Sequence, residues 1–98
     1  MAILYIQEYE RIAGDQDGHL VQAGFEPALA SQAVTFSTTT ASAAFNAKTK
    51  FVRLYSDTAC FVKFGASPSA TTATDMPLAA NMPEFFAVVN GHKVAAVT

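Results

Sequence analysis

The stretch "KFVRLYSDTACFVKFG", residues 50–65, constrains the fold more than any other part of the sequence. If Ser56, Asp57 and Thr58 form a hairpin loop, strict alternation places one wholly apolar set on a single face: Val52, Leu54, Cys60, Val62 and Phe64. The opposite face is mixed and carries Phe51, Arg53, Tyr55, Ala59, Phe61 and Lys63. A shift of one residue would mix the two sets, so the pattern selects its own register. It predicts a β-hairpin whose apolar face lies in the core.

The rest of the chain has the same β character, because short runs rich in Thr, Val, Phe, Tyr, Ser and Ala are separated by Gly, Pro, Asn or Asp. Further strands are predicted in "AILYIQEYERI", "HLVQAGF", around Val34 and Phe36, around Ala44-Phe45, in "EFFAVV" and in "HKVAAVT". Asp17-Gly18 and Asn90-Gly91 predict hairpin turns. "EPALASQ" and "GASPSATTATDMP" are predicted loops. The sequence therefore predicts a single all-β domain over residues 1–98, a small antiparallel β-sandwich or jelly roll of seven or eight short strands.

The composition indicates that part of the surface is covered by another protein. Apolar residues make up 51% of the 98 residues and charged residues only 14%, whereas a soluble domain carries roughly 25% charged residues. A small domain has much surface for its volume, so this deficit of charge predicts an extensive interface. Self-association to a dimer or trimer is one expected consequence.

Charge and hydropathy argue against several other classes of protein. The net charge is −2 and the six basic residues are spread along the chain, so we expect no nucleic-acid binding. No apolar run reaches the ~20 residues of a membrane-spanning helix, and the amino terminus lacks the features of a secretion signal. A single cysteine excludes an internal disulfide framework and fits assembly in a reducing cytoplasm.

The segment "DQDGHLVQAGFE", Asp15 to Glu26, resembles a calcium-binding loop at its first, third and twelfth positions. Its glycine, however, is Gly18 rather than the residue at position six, and the flanking sequences are typical of strands. An Asp-Gly hairpin turn accounts for Asp17 and Gly18 without a metal. We therefore predict no metal site here.

Candidate catalytic groups are few. His19 and His92 lie beside predicted turns and have no second ligand at metal-binding spacing. Cys60 falls in the apolar set of its strand, so a buried, unreactive thiol is expected. Glu8 and Glu10 lie on one face of a strand and are interpreted as solvated carboxylates. The sequence thus predicts a protein that is not an enzyme and that has no cofactor.

Aromatic side chains outside the core are candidates for an interface, since such residues are enriched where proteins meet. Adjacent strand residues face opposite sides, so one of Phe85 and Phe86 is expected in the core and the other outside. The same reasoning applies to the outward-facing residues of the other strands. The predicted interface residues are Tyr5, Tyr9, Phe25, Arg53, Tyr55, Phe61 and Phe85.

Residues 43–97 resemble a family of small structural proteins of tailed bacteriophages and prophages. The shared pattern runs "FVR(L/V)…D..C…FG..P.ATT" and then "P(L)..N..E(Y/F)F.V..G.KVA". The residues that match it are Phe51, Val52, Arg53, Asp57, Cys60, Phe64, Gly65, Pro68, Ala70, Thr71, Thr72, Leu78, Glu84, Phe86, Gly91, Lys93, Val94 and Ala95. The amino-terminal "LYIQEYERIA" is also similar to the start of family members, so the resemblance covers nearly the whole chain.

This resemblance implies a virion component, most like a capsid decoration or cement protein with a β-sandwich or jelly-roll fold. Such a protein is made in the host bacterial cytoplasm, binds the outer surface of the phage head and stabilises the lattice of the major capsid protein, its partner. The alternative that the sequence leaves open is a binding module of the tail, neck or fibre that recognises the host.

Overall fold

The described part of the chain forms β-strands and no helix, as the alternating pattern predicts. A computed structural model describes residues 2–14, 20–24, 26–72 and 74–98, and for residues 12–14 and 20–24 it describes the backbone alone. The strands are β1 (Ala2–Tyr9), β2 (Ile12–Gly14), β3 (Leu20–Gly24), β4 (Ala30–Phe36), β5 (Thr40–Ala41), β6 (Phe51–Ser56), β7 (Cys60–Gly65), β8 (Met76–Leu78), β9 (Glu84–Ala87) and β10 (Lys93–Val97).

Eight of the strands form two antiparallel sheets of four. The first sheet has the order β4-β1-β6-β9 and the second the order β5-β10-β7-β8, while β2 and β3 pair with each other as a separate ribbon. The predicted all-β sandwich is therefore confirmed. A jelly roll has eight strands, labelled B to I, in two sheets with the orders B-I-D-G and C-H-E-F. When β4 is assigned to B, the two sheets of this protein have the same orders.

In this jelly roll β1 occupies the position of the last strand, I, so the connectivity is circularly permuted. A permuted order requires the two ends of the described chain to lie close together. Ala2 pairs with Phe36, and the Thr98 hydroxyl donates to the Ser37 carbonyl oxygen at 3.0 Å. Both ends therefore lie beside the carboxyl end of β4.

The core lies between the two sheets. The first sheet contributes Ala2, Leu4, Ile6, Phe36, Val52 and Leu54, and the second contributes Cys60, Val62, Leu78, Val94 and Ala96. These side chains alternate along their strands, so each sheet places one apolar face against the other. Phe45 closes this core from the loop after β5 and is also buried.

The predicted hairpin of residues 50–65 is half right. Val52, Leu54, Cys60 and Val62 are all buried, but β6 and β7 lie in different sheets and do not pair. Both hydrogen-bonding edges of β6 are occupied, one by β1 and the other by β9, so β7 has no free edge to join. The chain instead crosses the sandwich after Ser56, and the two apolar sets meet across the core.

The last predicted hairpin, between β9 and β10, is also wrong, because both edges of β10 are occupied by β5 and β7. Asn90-Gly91 does form a turn, in which the His92 N–H donates to the Val89 carbonyl oxygen at 3.1 Å and Gly91 has a φ of 79°. Glycine suits this left-handed position because it has no Cβ. However, β9 and β10 belong to opposite sheets, so the turn connects two layers rather than two neighbouring strands.

Three boundaries also differ from the predictions. β4 begins at Ala30, within the predicted loop "EPALASQ", and β8 begins at the end of the long predicted loop. Ala44-Phe45 is not a strand; β5 lies earlier, at Thr40–Ala41. The predicted strand "HLVQAGF" is confirmed as β3, whereas its Asp17-Gly18 turn lies outside the described residues.

Glu8 is buried, with 1% of its surface exposed, which corrects the interpretation of this residue as solvated. Its Oε1 accepts hydrogen bonds from the Asn46 N–H at 2.7 Å and from the Thr49 hydroxyl at 2.9 Å. Its Oε2 accepts one from the Gln32 amide at 3.0 Å, and the same Gln32 side chain bonds both the N–H and the C=O of Ala43. The carboxylate thus joins β1 and β4 to the loop of residues 42–49.

We expect Glu8→Gln to lower the free energy of unfolding by about 1–3 kcal/mol. Both carboxylate oxygens of Glu8 accept hydrogen bonds, so a glutamine amide must place its NH₂ group, which can only donate, against another donor at one of these two positions. Gln32 cannot flip to accept from it without losing both bonds to Ala43. Urea denaturation measures the change. Glu84→Gln, at an exposed position of β9, is the control and should stay within about 0.5 kcal/mol of the parent. Equal stability of Glu8→Gln and the parent would contradict the role assigned to the carboxylate.

Asp57 holds the end of β6 against the start of β1. Its Oδ1 accepts from the Ile3 N–H at 2.9 Å, and its own N–H donates to the Ile3 carbonyl oxygen at 3.2 Å. The hydrogen bond from Ile3 is the main reason that the pKa of this exposed carboxyl lies below its usual value, with a further contribution from the Thr58 hydroxyl.

A lowered pKa in the folded state means that Asp57 stabilises the protein while it is ionised. This stabilisation is complete above the unfolded-state pKa of about 3.9 and is lost as the pH falls through the lower folded-state value. We expect Asp57→Asn to be less stable than the parent at pH 7, and the difference to shrink below about pH 4. Thermal unfolding from pH 7 to pH 2 tests this, and a difference that does not change with pH would refute it.

Candidate protein-binding face

The outward-facing side chains of β1, β6 and β9 form an aromatic surface on the first sheet. The antiparallel register places Tyr5 beside Tyr55, Arg53 between Gln7 and Phe85, and Tyr9 beside Phe51. Since alternate residues of paired strands share a face, these side chains lie on the side of the sheet away from the core. We call this surface the outer aromatic face; it consists of Tyr5, Tyr9, Phe51, Arg53, Tyr55 and Phe85.

Three of its rings form one cluster. The centroids of Tyr9 and Phe51 are 5.3 Å apart in a stacked arrangement, and Phe85 lies 5.9 Å from Phe51 and 6.4 Å from Tyr9. Phe85 is 45% exposed, whereas Tyr9 is only 3% exposed. Tyr9 is therefore the floor of the cluster and Phe85 its exposed side.

Tyr9 is fixed in place by its hydroxyl group, which donates to Glu26 Oε2 at 2.7 Å. Burial, the hydrogen bond to Glu26 and the charge of that carboxylate together raise the pKa of Tyr9 to about 12, and the nearby Arg53 opposes the shift. The phenol is thus neutral over the physiological range. Its ring supports those of Phe51 and Phe85.

Tyr5 and Tyr55 form the second part of the face, with ring centroids 6.2 Å apart. The Tyr55 hydroxyl donates to Asn81 Oδ1 at 3.0 Å, and the Asn81 N–H donates to the Ser56 carbonyl oxygen at 2.7 Å. Asn81 has a φ of 60°, a left-handed conformation that asparagine tolerates better than most residues. The loop before β9 thereby holds Tyr55, while Tyr5 remains 40% exposed.

Arg53 lies between these two aromatic groups. It is half-buried by its neighbours in the sheet, Gln7 and Phe85. Within the part of the chain that the structure describes, its guanidinium group makes no hydrogen bond or ion pair. The face therefore offers broad apolar rings around one cation, the combination that is enriched in the buried centres of protein interfaces.

Five of the seven predicted interface residues meet on this face: Tyr5, Tyr9, Arg53, Tyr55 and Phe85. Phe61 lies on the outer face of the second sheet, because β7 belongs to that sheet, and Phe25 lies outside the described residues. Phe51 was not among the predicted residues. Its position two residues before Arg53 in the mixed set was the signal that could have identified it.

The described catalytic candidates are not brought together. Cys60 is 3% exposed, as predicted, and burial raises the pKa of its thiol, with a smaller opposing effect of a hydrogen bond to Ser56. Cys60 begins β7, whereas His92 lies near the other end of that strand, roughly 16 Å away at about 3.3 Å per residue. His19 and half of the calcium-like segment, residues 15–19 and 25, lie outside the described residues.

β2 ends directly before that segment and β3 lies within it, and the two strands pair as a ribbon, so the segment lacks the helical surroundings of a calcium-binding loop. Among the residues that can be described, no group of three or more His, Cys, Asp and Glu side chains is placed to hold a metal ion. Nor does this part of the chain include a helix of the length and apolarity needed to cross a membrane.

A second apolar surface lies between the sheets at the end of β9. It is an open groove of about 380 Å³ lined by Phe45, Phe64, Gly65, Ala87, Val88, Val89 and His92. Val89 is 57% exposed at its rim. The groove has few polar groups to orient a small ligand, unlike typical ligand sites, and we regard the outer aromatic face as the stronger candidate.

Comparison of the chain with protein-family models, with curated proteins and with solved structures finds no match.

Proposed function

We propose that this chain is a virion structural protein that decorates the phage head and cements the lattice of the major capsid protein, docking through the outer aromatic face. The role comes from the resemblance to phage structural proteins. The observation that best supports docking is the outer aromatic face, where Tyr5 and Phe85 are exposed on either side of Arg53, on a chain in which only 14% of residues are charged. A partner surface that fits is apolar and places a carboxylate opposite the guanidinium group.

The physical mechanism is stabilisation by mass action. A protein that binds the assembled shell and not its separated subunits lowers the free energy of the shell by RT ln(1 + [L]/Kd) per site. No chemical step is needed, and the proposal assigns no catalytic residue and no cofactor. The rigid support of the rings by Tyr9, Glu26 and Asn81 suits this role, since a preorganised face loses little entropy on binding.

Phe85→Thr should weaken binding to heads by about 30-fold or more, because loss of a central aromatic anchor costs at least about 2 kcal/mol. Binding is measured by co-sedimentation of the purified protein with heads of the phage that encodes it, prepared without this chain. Phe61→Thr makes the same change on the opposite sheet and is the matched control. Equal binding by the parent and Phe85→Thr would refute docking through this face.

Arg53→Gln tests the charge of the face separately. If the partner presents a carboxylate, binding of the parent weakens as salt is raised and binding of Arg53→Gln depends less on salt.

The number of copies per virion distinguishes the head from the alternative location. Hundreds of copies support a shell protein, whereas a dozen or fewer point to the tail, neck or fibre and overturn the cement role.

A further inference from the structure

The two sheets have four edge strands, and only β4 lacks the usual protection against pairing with another strand. β5 and β8 have two and three residues, and β8 contains Pro77. β9 has four residues, begins with the exposed Glu84 and follows a proline. β4 has seven residues, "ASQAVTF", with no charge, no proline and no break in its register. Natural proteins usually shorten, charge or bend such an edge.

The register shows which backbone groups of β4 face outwards. The Asp57 N–H donates to the Ile3 carbonyl oxygen in the same register as the β1–β6 pair. Odd-numbered residues of β1 therefore direct their hydrogen bonds to β6, and even-numbered residues direct theirs to β4. Their hydrogen-bond partners in β4 are also even-numbered. The N–H and C=O groups of the odd-numbered residues Ser31, Ala33 and Thr35 therefore point to the free edge.

These outward groups have no partner among the described residues. No backbone hydrogen bond outside the β1–β4 ladder reaches Ser31, Ala33 or Thr35, and all three residues are exposed. The loop that approaches β4 is held by the Gln32 side chain through Ala43, at the inner side of the strand. Within the described ranges, nothing therefore covers the free edge of β4.

We propose that the free edge of β4 pairs with β4 of a second copy of this chain, in an antiparallel arrangement about a twofold axis at Ala33. Ala33 then faces the second copy's Ala33, and Ser31 faces the second copy's Thr35. In this register the three outward residues of each copy all form hydrogen-bonded pairs. The small side chains meet without a clash, no like charges face each other, and Ser–Thr pairs are favourable across strands.

The pairing gives one continuous sheet of eight strands, because each copy contributes the four strands of its first sheet. The twofold axis is perpendicular to the sheet, so paired side chains remain on the same side. Both outer aromatic faces then point in the same direction. Where the proposed docking function holds, the dimer binds a capsid lattice through two faces at once, and the second contact gains from a high effective concentration.

A cysteine cross-link tests the register. Across a hydrogen-bonded antiparallel pair the Cα atoms are about 5.5 Å apart, within the range for a disulfide. We expect Ala33→Cys to form a covalent dimer on mild oxidation, while Ala87→Cys on β9 does not. The native Cys60 is buried and does not interfere. Failure of Ala33→Cys to cross-link, or equal cross-linking of the two variants, overturns the proposal.

Light scattering tests the edge without a cross-link. The parent is expected at twice the chain mass of 10.4 kDa, and Ala33→Lys at the mass of one chain, because two lysines face each other at the axis. Ala87→Lys is the matched control and remains dimeric, and circular dichroism verifies that both variants fold. A monomeric or trimeric parent, or a dimeric Ala33→Lys, refutes the pairing.

The two proposals fail separately in these experiments. The dimer is measured on the purified chain alone, whereas docking is measured on heads. Phe85→Thr is expected to dimerise and to lose head binding. Ala33→Lys is expected to bind heads through a single face, with an affinity at least tenfold below that of the dimer.

Discussion

The position of β6 in the middle of the first sheet is the constraint on which the rest of the structure depends. With β1 on one side and β9 on the other, β6 has no edge left for the strand that follows it. The chain must cross to the second sheet after Ser56, and this crossing forms the sandwich. It also leaves Arg53 and Tyr55 pointing outwards on the outer aromatic face, so the same constraint builds the core and the candidate binding face.

The polar interactions of the protein support this arrangement from its margins. Glu8 joins β1 and the edge strand β4 to the loop that leads into β6, and Asp57 holds the far end of β6 against β1. Among the described residues every buried polar side-chain atom has a hydrogen-bond partner. A small core flanked by such satisfied polar contacts can hold a single sheet register, which the alignment of the outer aromatic face requires.

Alternation in the sequence was sufficient to predict which residues are buried, but not which strands pair. A hairpin and a sandwich would both bury the same four residues, because the inner faces of two sheets meet in one core. These residues are Val52, Leu54, Cys60 and Val62. The choice between the two depends on whether β6 has a free edge, and that is decided by residues far away in the chain. For this reason the five face residues were predicted as candidates, while their meeting on one sheet was not.

Glu8 shows a second limit of the same kind. Its place in the alternating pattern is the buried one, beside Leu4 and Ile6, yet a carboxylate on a strand near a predicted turn is ordinarily solvated. The donors that make its burial possible come from Gln32, Asn46 and Thr49. None of them is near Glu8 in sequence, and no local pattern marks them as its partners.

The crossings between sheets also have a consequence for how the chain reaches this structure. β6 and β7 do not form a local hairpin, and neither do β9 and β10. β1 pairs with β4 and β6, which come later in the chain, so its hydrogen bonds form only when those strands are in place. The chain therefore closes long loops before most of its hydrogen bonds form, a topology associated with folding in milliseconds to seconds rather than microseconds. During that interval unpaired strands are exposed, and newly made chains at high concentration face a kinetic competition between folding and aggregation.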